Sequence, residues 1–343
     1  MRVLDNEQYL SSSLESVLNQ TFTDFELLVI SEYDTNRESL QIIDSYHDPR
    51  IRHIHNPVRL GLVRSLNVGL TNAKGRYIAP FDADDVNFPL RFEKQVEFLD
   101  DHHEVGVLGA RYDIINEEGK VTETPKPTLE TELIKWRLLF GECAVAHSSV
   151  MVRREVYSEL GGYNPEVHYG EDYELWVRAI EVTQIANLPD TLLQLRRHST
   201  RVSIAHELEQ QQNTRSISQR ALSSTFGVEV PFHYLDVIMF HRPVGGSDTV
   251  EAARWMSKRC REYVLKSQMQ RKDKNSIRAF TAKKLYPLAL ICAWKWPSDS
   301  ARIWRLILEL DPIGSTWLWL DLLTRTAAYP VKLILRGLSP AQQ

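Results

Sequence analysis

The chain has little of what would assign it at a glance. Its 343 residues hold three cysteines, Cys143, Cys260 and Cys292. They are odd in number, widely spaced and without a metal-ligand pattern, so they read as ordinary thiols in a reducing compartment. No run reaches the ~20 apolar residues that a membrane-spanning helix requires. The opening residues are polar instead of basic and then apolar, so no secretory leader is expected. No internal repeat or low-complexity tract occurs. The net charge is only −4, which implies no general affinity for nucleic acid.

What is present is the composition of a folded protein, 43% apolar and 25% charged. The length suits one large domain or two ordinary ones. Up to about residue 203, short apolar runs alternate with amphipathic stretches, the pattern of an α/β sheet. Tyr9 to Gln20 sets Leu10, Leu14, Val17 and Leu18 on one helical face. Strands are expected at Phe25–Ile30, Ile51–His55, Tyr77–Phe81, Val105–Ile115, Ser148–Val152 and Leu192–Arg196. Helices are expected at Val63–Asn72, Pro89–Leu99, Leu129–Phe140 and Tyr173–Glu181. Beyond Ser203 the sequence turns polar and helical, and the boundary is placed near residue 210. The second region, 211–343, is basic and tryptophan-rich. Between Asp248 and Lys284 there are eleven Lys or Arg against four Asp or Glu.

The third strand runs straight into Asp82-Ala83-Asp84-Asp85. Residues two apart in extended chain point to one side, so Asp82 and Asp84 can face one site. Carboxylates gathered there repel unless a cation is present, and hard oxygen donors suit Mg²⁺ or Mn²⁺. Ligand sites in open α/β sheets lie beyond the carboxyl ends of strands, where this cluster falls. The alternative is a solvated acidic turn, with Asp85 capping the helix that follows.

Context decides between them. The stretch Gly61-Leu62, Asn67-Val68-Gly69, Ala73-Lys74-Gly75-Arg76-Tyr77-Ile78-Ala79, Asp82-Ala83-Asp84-Asp85, Pro89 and Arg91-Phe92-Glu93-Lys94-Gln95 resembles family 2 glycosyltransferases. Upstream, Ser16-Val17-Leu18-Asn19-Gln20-Thr21-Phe22-Thr23-Asp24-Phe25-Glu26-Leu27 fits the same family. Downstream, His147-Ser148-Ser149, Gly161-Gly162-Tyr163 and Gly170-Glu171-Asp172-Tyr173-Glu174-Leu175-Trp176 extend the match over roughly the first 200 residues.

The resemblance implies a GT-A fold for residues 1–210, a Rossmann-like and mostly parallel sheet with flanking helices, followed by a C-terminal helical region. It implies a nucleoside-diphosphate sugar as donor, with a UDP-sugar favoured. Asp82 would approach the nucleoside, and Asp84 would ligate a Mn²⁺ or Mg²⁺ bridging the two phosphates. Glu171-Asp172 matches the family's acidic pair, with Asp172 as general base and inversion at the anomeric carbon as the outcome. Without that context, Glu171 and Asp172 read as carboxylates at a helix N-terminus, favoured by the macrodipole. His198 matches a histidine near the diphosphate or metal, and is otherwise structural. Arg196 would offer phosphate a cationic contact or be solvated at the surface. Glu32 and Asp34, with Asn67, complete the implied donor site.

Two departures from the family stand out. Its opening apolar strand is represented only by Arg2-Val3-Leu4-Asp5, so the rest of that strand is expected to be missing. The acidic turn after the second strand reads Ser31-Glu32-Tyr33-Asp34 here. Glu32 keeps the carboxylate, whereas Tyr33 replaces a glycine and is strained if the turn needs positive φ. In the tail, Trp317-Leu318-Trp319-Leu320 and Val331–Arg336 suit a helix lying at an anionic membrane interface, or equally a packed helical subdomain.

The reading is therefore a metal-dependent, inverting transferase of cell-surface polysaccharide biosynthesis. Its acceptor would be a saccharide or a lipid-linked sugar. Its place would be the cytoplasm, with peripheral contact at the inner face of the membrane. The alternative is a degenerate relative that binds sugar or a partner without turnover.

Overall fold

The computed structural model describes residues 1–4, 7–198, 206–243, 245–266 and 268–315. The chain divides into two compact units, Met1–Ser218 and Gln219–Gln343. The helix Glu207–Phe226 runs through residue 210 and contains the division.

The first unit is an α/β layer structure. Helix α1 (Glu7–Leu18) forms because Leu10, Leu14 and Val17 recur on one face, and all three are buried. They pack against strand β1 (Leu27–Glu32), with Val29, Phe81 and Leu193 in the same cluster. Burying each such side chain contributes roughly 1.5–3 kcal/mol. After β1 comes α2 (Arg37–Ser45), whose Asn36 side chain caps it by accepting from the Ser39 amide at 2.8 Å. Strand β2 (Ile51–Asn56) then pairs parallel with β1, from Leu27 opposite Ile51 to Glu32 opposite Asn56. Helix α3 (Leu62–Asn72) returns the chain to β3 (Tyr77–Ile78), which is shorter than the predicted strand.

Beyond the acidic turn lie β4 (Val86–Asn87) and α4 (Arg91–Asp101). The residue capping α4 is Leu90, which makes no side-chain cap. Asp85 therefore does not cap this helix, contrary to expectation; it is buried five residues earlier. Strand β5 (Val105–Ile115), the short β6 (Val121–Glu123), α5 (Thr131–Leu139), a 3-10 turn at His147–Ser149 and β7 (Met151–Arg153) follow. The strand predicted to start at Ser148 starts later because Ser148 and Ser149 belong to that turn. Helices α6 (Arg154–Leu160) and α7 (Glu171–Ala179) lead to β8 (Gln184–Arg196).

The larger sheet has the order β3-β7-β5-β8-β4, with β6 on the end of β5. Its long central pair, β5 and β8, is parallel, while the shorter strands add antiparallel neighbours. The opening residues fill the slot between β1 and the acidic turn. Arg2 bridges in parallel to both Ile30 and Asp82, and the Val3 amide donates to the Ile30 carbonyl at 2.8 Å. Arg2 and Val3 thus occupy a strand position there. Tyr33 raises no strain: among the described residues, His241 is the non-glycine with positive φ. The turn instead closes when the Glu32 amide donates to Thr35 Oγ1 at 2.8 Å.

The second unit is helical, with Phe232–Phe240, Gly246–Lys266, Arg271–Lys295 and Pro297–Leu310. Met256, Cys260, Leu285, Leu288, Ile303 and Ile307 are among its buried residues. None of the described helices is long and apolar enough to cross a membrane. Trp317, Trp319 and Val331–Arg336 lie outside the described residues.

Candidate active site

Three turns of the first unit line one cleft of about 590 Å³: Asp82–Asp84, Ala144–Ser148 and Gly170–Asp172. Each turn is held from behind. The Ser13 hydroxyl of α1 lies 2.9 Å from the Ala83 carbonyl and 2.6 Å from that of Asp85. Arg196 at the end of β8 donates from Nε to the Asp84 carbonyl at 2.9 Å, and its amide donates to Asp85 Oδ1 at 2.8 Å. Burial, then the charges of Asp82 and Asp84, hold Asp85 far above the usual carboxylate range. Asp85 is thus a buried brace under the turn.

Asp82 and Asp84 have separate surroundings. Asp84 Oδ2 lies 2.8 Å from His198 Nε2. Asp82 Oδ2 accepts from the Ser148 hydroxyl at 2.9 Å, and its Oδ1 lies 3.7 Å from His147 Nδ1. The other ring nitrogen of His147 is 2.9 Å from the Tyr163 hydroxyl. Burial alone depresses the His147 imidazolium. The hydrogen bond and charge of Asp82, with Asp172 and Glu171 behind it, outweigh burial and lift its pKa to about 9.

Helix α7 begins after Gly170, whose φ of 84° is left-handed. Its first turn carries Glu171, Asp172 and Glu174. Glu174 is the structural member: it is gripped by Arg178, which also donates to the Leu160 and Gly162 carbonyls at 2.7 and 2.8 Å. Glu171 and Asp172 line the cleft instead. Burial, then the adjacent charge of Asp172, pushes Glu171 up to about 7. Asp172 Oδ1 accepts from the Tyr173 amide at 2.7 Å, which steadies its carboxylate.

Asp82, Asp84, His198, Glu171 and Asp172 therefore share the cleft, whereas four of the expected donor residues do not line it. Glu32 is fully buried, accepting from Ser65 Oγ at 2.6 Å, with Arg2 3.6 Å away. It reaches the cleft only through Arg2, which does line it. Asp34 pairs with Arg59 at 3.3 Å. Asn67 donates to the Tyr163 carbonyl at 2.8 Å and accepts from its amide at 2.9 Å, so it clamps the Gly162-Tyr163 turn. Arg196 is buried, donating also to the carbonyls of Asn116 and Glu117 at 3.1 Å, with Tyr9 stacked beneath it at 4.3 Å. Its guanidinium serves the backbone of the turn. Sequence reasoning passed over Arg2 and gave His147 no place beside Asp82. The signal for Arg2 was a lone charge in an otherwise apolar strand end.

One pair of side chains could hold a divalent ion. Asp84 and His198 put one carboxylate oxygen and one imidazole nitrogen side by side, a donor set that Mn²⁺ accepts and Mg²⁺ tolerates. No group of three His, Cys, Asp or Glu among the described residues forms a fuller shell. Two protein donors would leave the ion's other positions to phosphate or water.

Residues 2–161 match the glycosyl transferase family 2 profile. The O-antigen biosynthesis glycosyltransferase WbnJ of Escherichia coli is 32% identical over 203 residues, covering 58% of this chain and 78% of that protein. The chain belongs to glycosyl transferase family 2. An uncharacterized glycosyltransferase of Haemophilus influenzae is 29% identical over 228 residues, 63% of this chain and 70% of that one. The fold agrees. The crystal structure of S. aureus TarS 1-349 in complex with UDP-GlcNAc superposes with a TM-score of 0.50 at 16% identity, covering 90% of this chain and 78% of that one. It is a GT-A glycosyltransferase fold. The family 2 match ends at Leu160-Gly161, before α7.

Proposed function

We propose that this family 2 glycosyltransferase moves a sugar, with inversion, from a nucleoside-diphosphate sugar to a saccharide or lipid-linked acceptor in cell-surface polysaccharide synthesis. The observation that carries the reading is the meeting of Asp84–His198 and Glu171–Asp172 in one cleft. The UDP-GlcNAc bound by TarS supports a UDP-sugar as donor, and the O-antigen role of WbnJ supports the polysaccharide setting.

Asp84 and His198 would hold Mn²⁺ or Mg²⁺ against the donor's phosphates. When bound, such an ion stabilises the charge that develops on the departing nucleoside diphosphate. Asp82, oriented by Ser148 and His147, would face the nucleoside. Asp172 would take the proton from the acceptor hydroxyl as its oxygen bonds to the anomeric carbon and the bond from that carbon to the phosphate oxygen breaks. One base opposite the leaving group gives inversion, by the geometry known for two-carboxylate glycosidases. A base of this kind contributes roughly 10²–10⁴-fold in rate.

Calorimetry of the full chain with a panel of nucleoside diphosphates and nucleotide sugars, with and without Mn²⁺, tests the reading. Metal-dependent binding of one nucleotide, lost in Asp84→Asn, is expected. A folded protein that binds none of them would sink the enzymatic reading and leave a binding role.

A further inference from the structure

The cleft is charged in two ways. Asp82, Asp84, Glu171 and Asp172 line it, and so do Arg2, Arg111, Lys126 and Arg137. Arg137 is satisfied within the protein, with Glu142 3.1 Å away and the Thr128 hydroxyl accepting from its Nη1. Arg111, in the middle of β5, differs. Its Nε is buried and has no hydrogen-bond partner, and the guanidinium makes no ion pair among the described residues. Lys126 likewise has no carboxylate partner among the described residues and is exposed on the loop between β6 and α5.

That loop is anchored. Asn187 of β8 donates to the Thr128 carbonyl at 2.9 Å and to the Ala144 carbonyl at 3.0 Å, tying the loop to the turn beside His147. Cys143, at the edge of the same turn, is pushed up by burial and then by Asp172 and Glu171, against Arg137, so Arg137 and the acidic pair of α7 both lie near this turn. Arg2, Arg215 and Arg259 also have a buried Nε without an acceptor, but Arg111 combines this with a place in the cleft and no ion pair among the described residues, which leaves it open to a polar partner there. An anion meeting Arg111 would gain a charge-assisted, geometrically directed pair.

We propose that the acceptor of this enzyme is anionic, a sugar bearing a carboxylate or a phosphate, and that Arg111 and Lys126 bind that group. The inference rests on the transferase reading above and narrows it. Arg111 supplies the buried, directional contact, and Lys126 supplies charge at the mouth.

The test uses three matched octyl glycosides: a neutral hexoside, its uronic acid counterpart and its 6-phosphate. Their binding to the full chain is measured by calorimetry, and transfer is followed by nucleotide release. One of the two charged compounds is expected to bind at least tenfold more tightly than the neutral one, with the difference shrinking as NaCl is raised. Whichever compound binds identifies carboxylate or phosphate as the source. Arg111→Gln and Lys126→Gln should each weaken that compound by about three- to tenfold, while leaving the neutral hexoside and acceptor-free hydrolysis of the donor unchanged. Lys126→Gln sits on an exposed loop, so it decides the matter even if Arg111→Gln fails to fold. Equal binding of charged and neutral compounds, or equal losses for both in the variants, overturns the inference. Failure of the parent reading looks different: the charged glycoside binds, but no nucleotide sugar is bound or cleaved.

Discussion

At the scale of single residues, the site shows how a carboxylate's role follows from its surroundings. Glu171 and Glu174 lie one turn apart on α7, yet Arg178 grips Glu174 while Glu171 is left beside Asp172. Because burial and Asp172 raise the Glu171 pKa to about 7, the folded state holds its proton across a range where the unfolded chain, near 4.5, has released it. Stability from this group therefore falls as pH rises from about 4.5 to 7. Glu171→Gln is expected to raise the thermal midpoint at pH 8, by the equivalent of up to about 2 kcal/mol, and to change it little at pH 4. Scanning calorimetry of the metal-free protein at both values checks this. A midpoint lowered equally at both would mean that Glu171 is bound by favourable contacts instead of strained by its neighbour. His147 has the opposite sign: its raised pKa stabilises the fold below about 6.5, and this is lost as pH passes about 9. The motif letters at Asp82, Asp84, Glu171 and Asp172 were legible in the chain; the surroundings that separate their roles were not.

At the scale of elements, two structural supports of the site make exposed predictions. Gly170 precedes α7 with a left-handed φ of 84°. A side chain there costs roughly 1–2 kcal/mol. Gly170→Ala should lower stability by about that much and reduce turnover more than donor binding, because it tilts Glu171 and Asp172. Equilibrium urea unfolding alongside kcat and donor Kd reads both effects. Arg91 is the second support. It is fully buried at the start of α4, donating to Gln95 Oε1 at 3.1 Å, Asn87 Oδ1 at 2.5 Å and the Val150 carbonyl at 2.8 Å. Burial lowers its pKa to about 9 against the opposing charge of Asp85. Arg91→Leu strips three acceptors of their donor, and a loss of about 3–5 kcal/mol is expected in the same unfolding experiment. Long periodic elements such as α1, α3 and β5 were readable, since burying one face demands a repeat. Helices α2 and α6 and the paired strands β4 and β6 were not, because elements this short are set by caps and by neighbours distant in sequence.

At the scale of the whole chain, the residues proposed to act on the substrates lie in the unit Met1–Ser218, and the helical unit that follows carries exposed apolar side chains, Leu265, Trp294 and Ile313 among them. Leu265 lies in the basic stretch between Asp248 and Lys284, and from this we propose peripheral contact with an anionic membrane surface. Co-sedimentation of the full chain with phosphatidylglycerol vesicles, but not phosphatidylcholine ones, is expected and should weaken in high salt. Sedimentation with neither lipid would leave the unit a packed helical subdomain.

The amino-acid sequence determined the family, the α/β alternation and the acidic positions of the cleft, because spacing along a strand or helix is a local property. Only the tertiary structure decided which polar residues face the cleft. Glu32, Asn67 and Arg196 carry the right groups, but Glu32 is buried against Ser65 and Arg2, Asn67 is held by the Tyr163 backbone and Arg196 by the Asp84 turn. Arg111 sits on an equally ordinary strand, and there the fold supplies no acceptor. A polar group's role depends on whether the folded chain satisfies it, and its partners lie dozens of residues away.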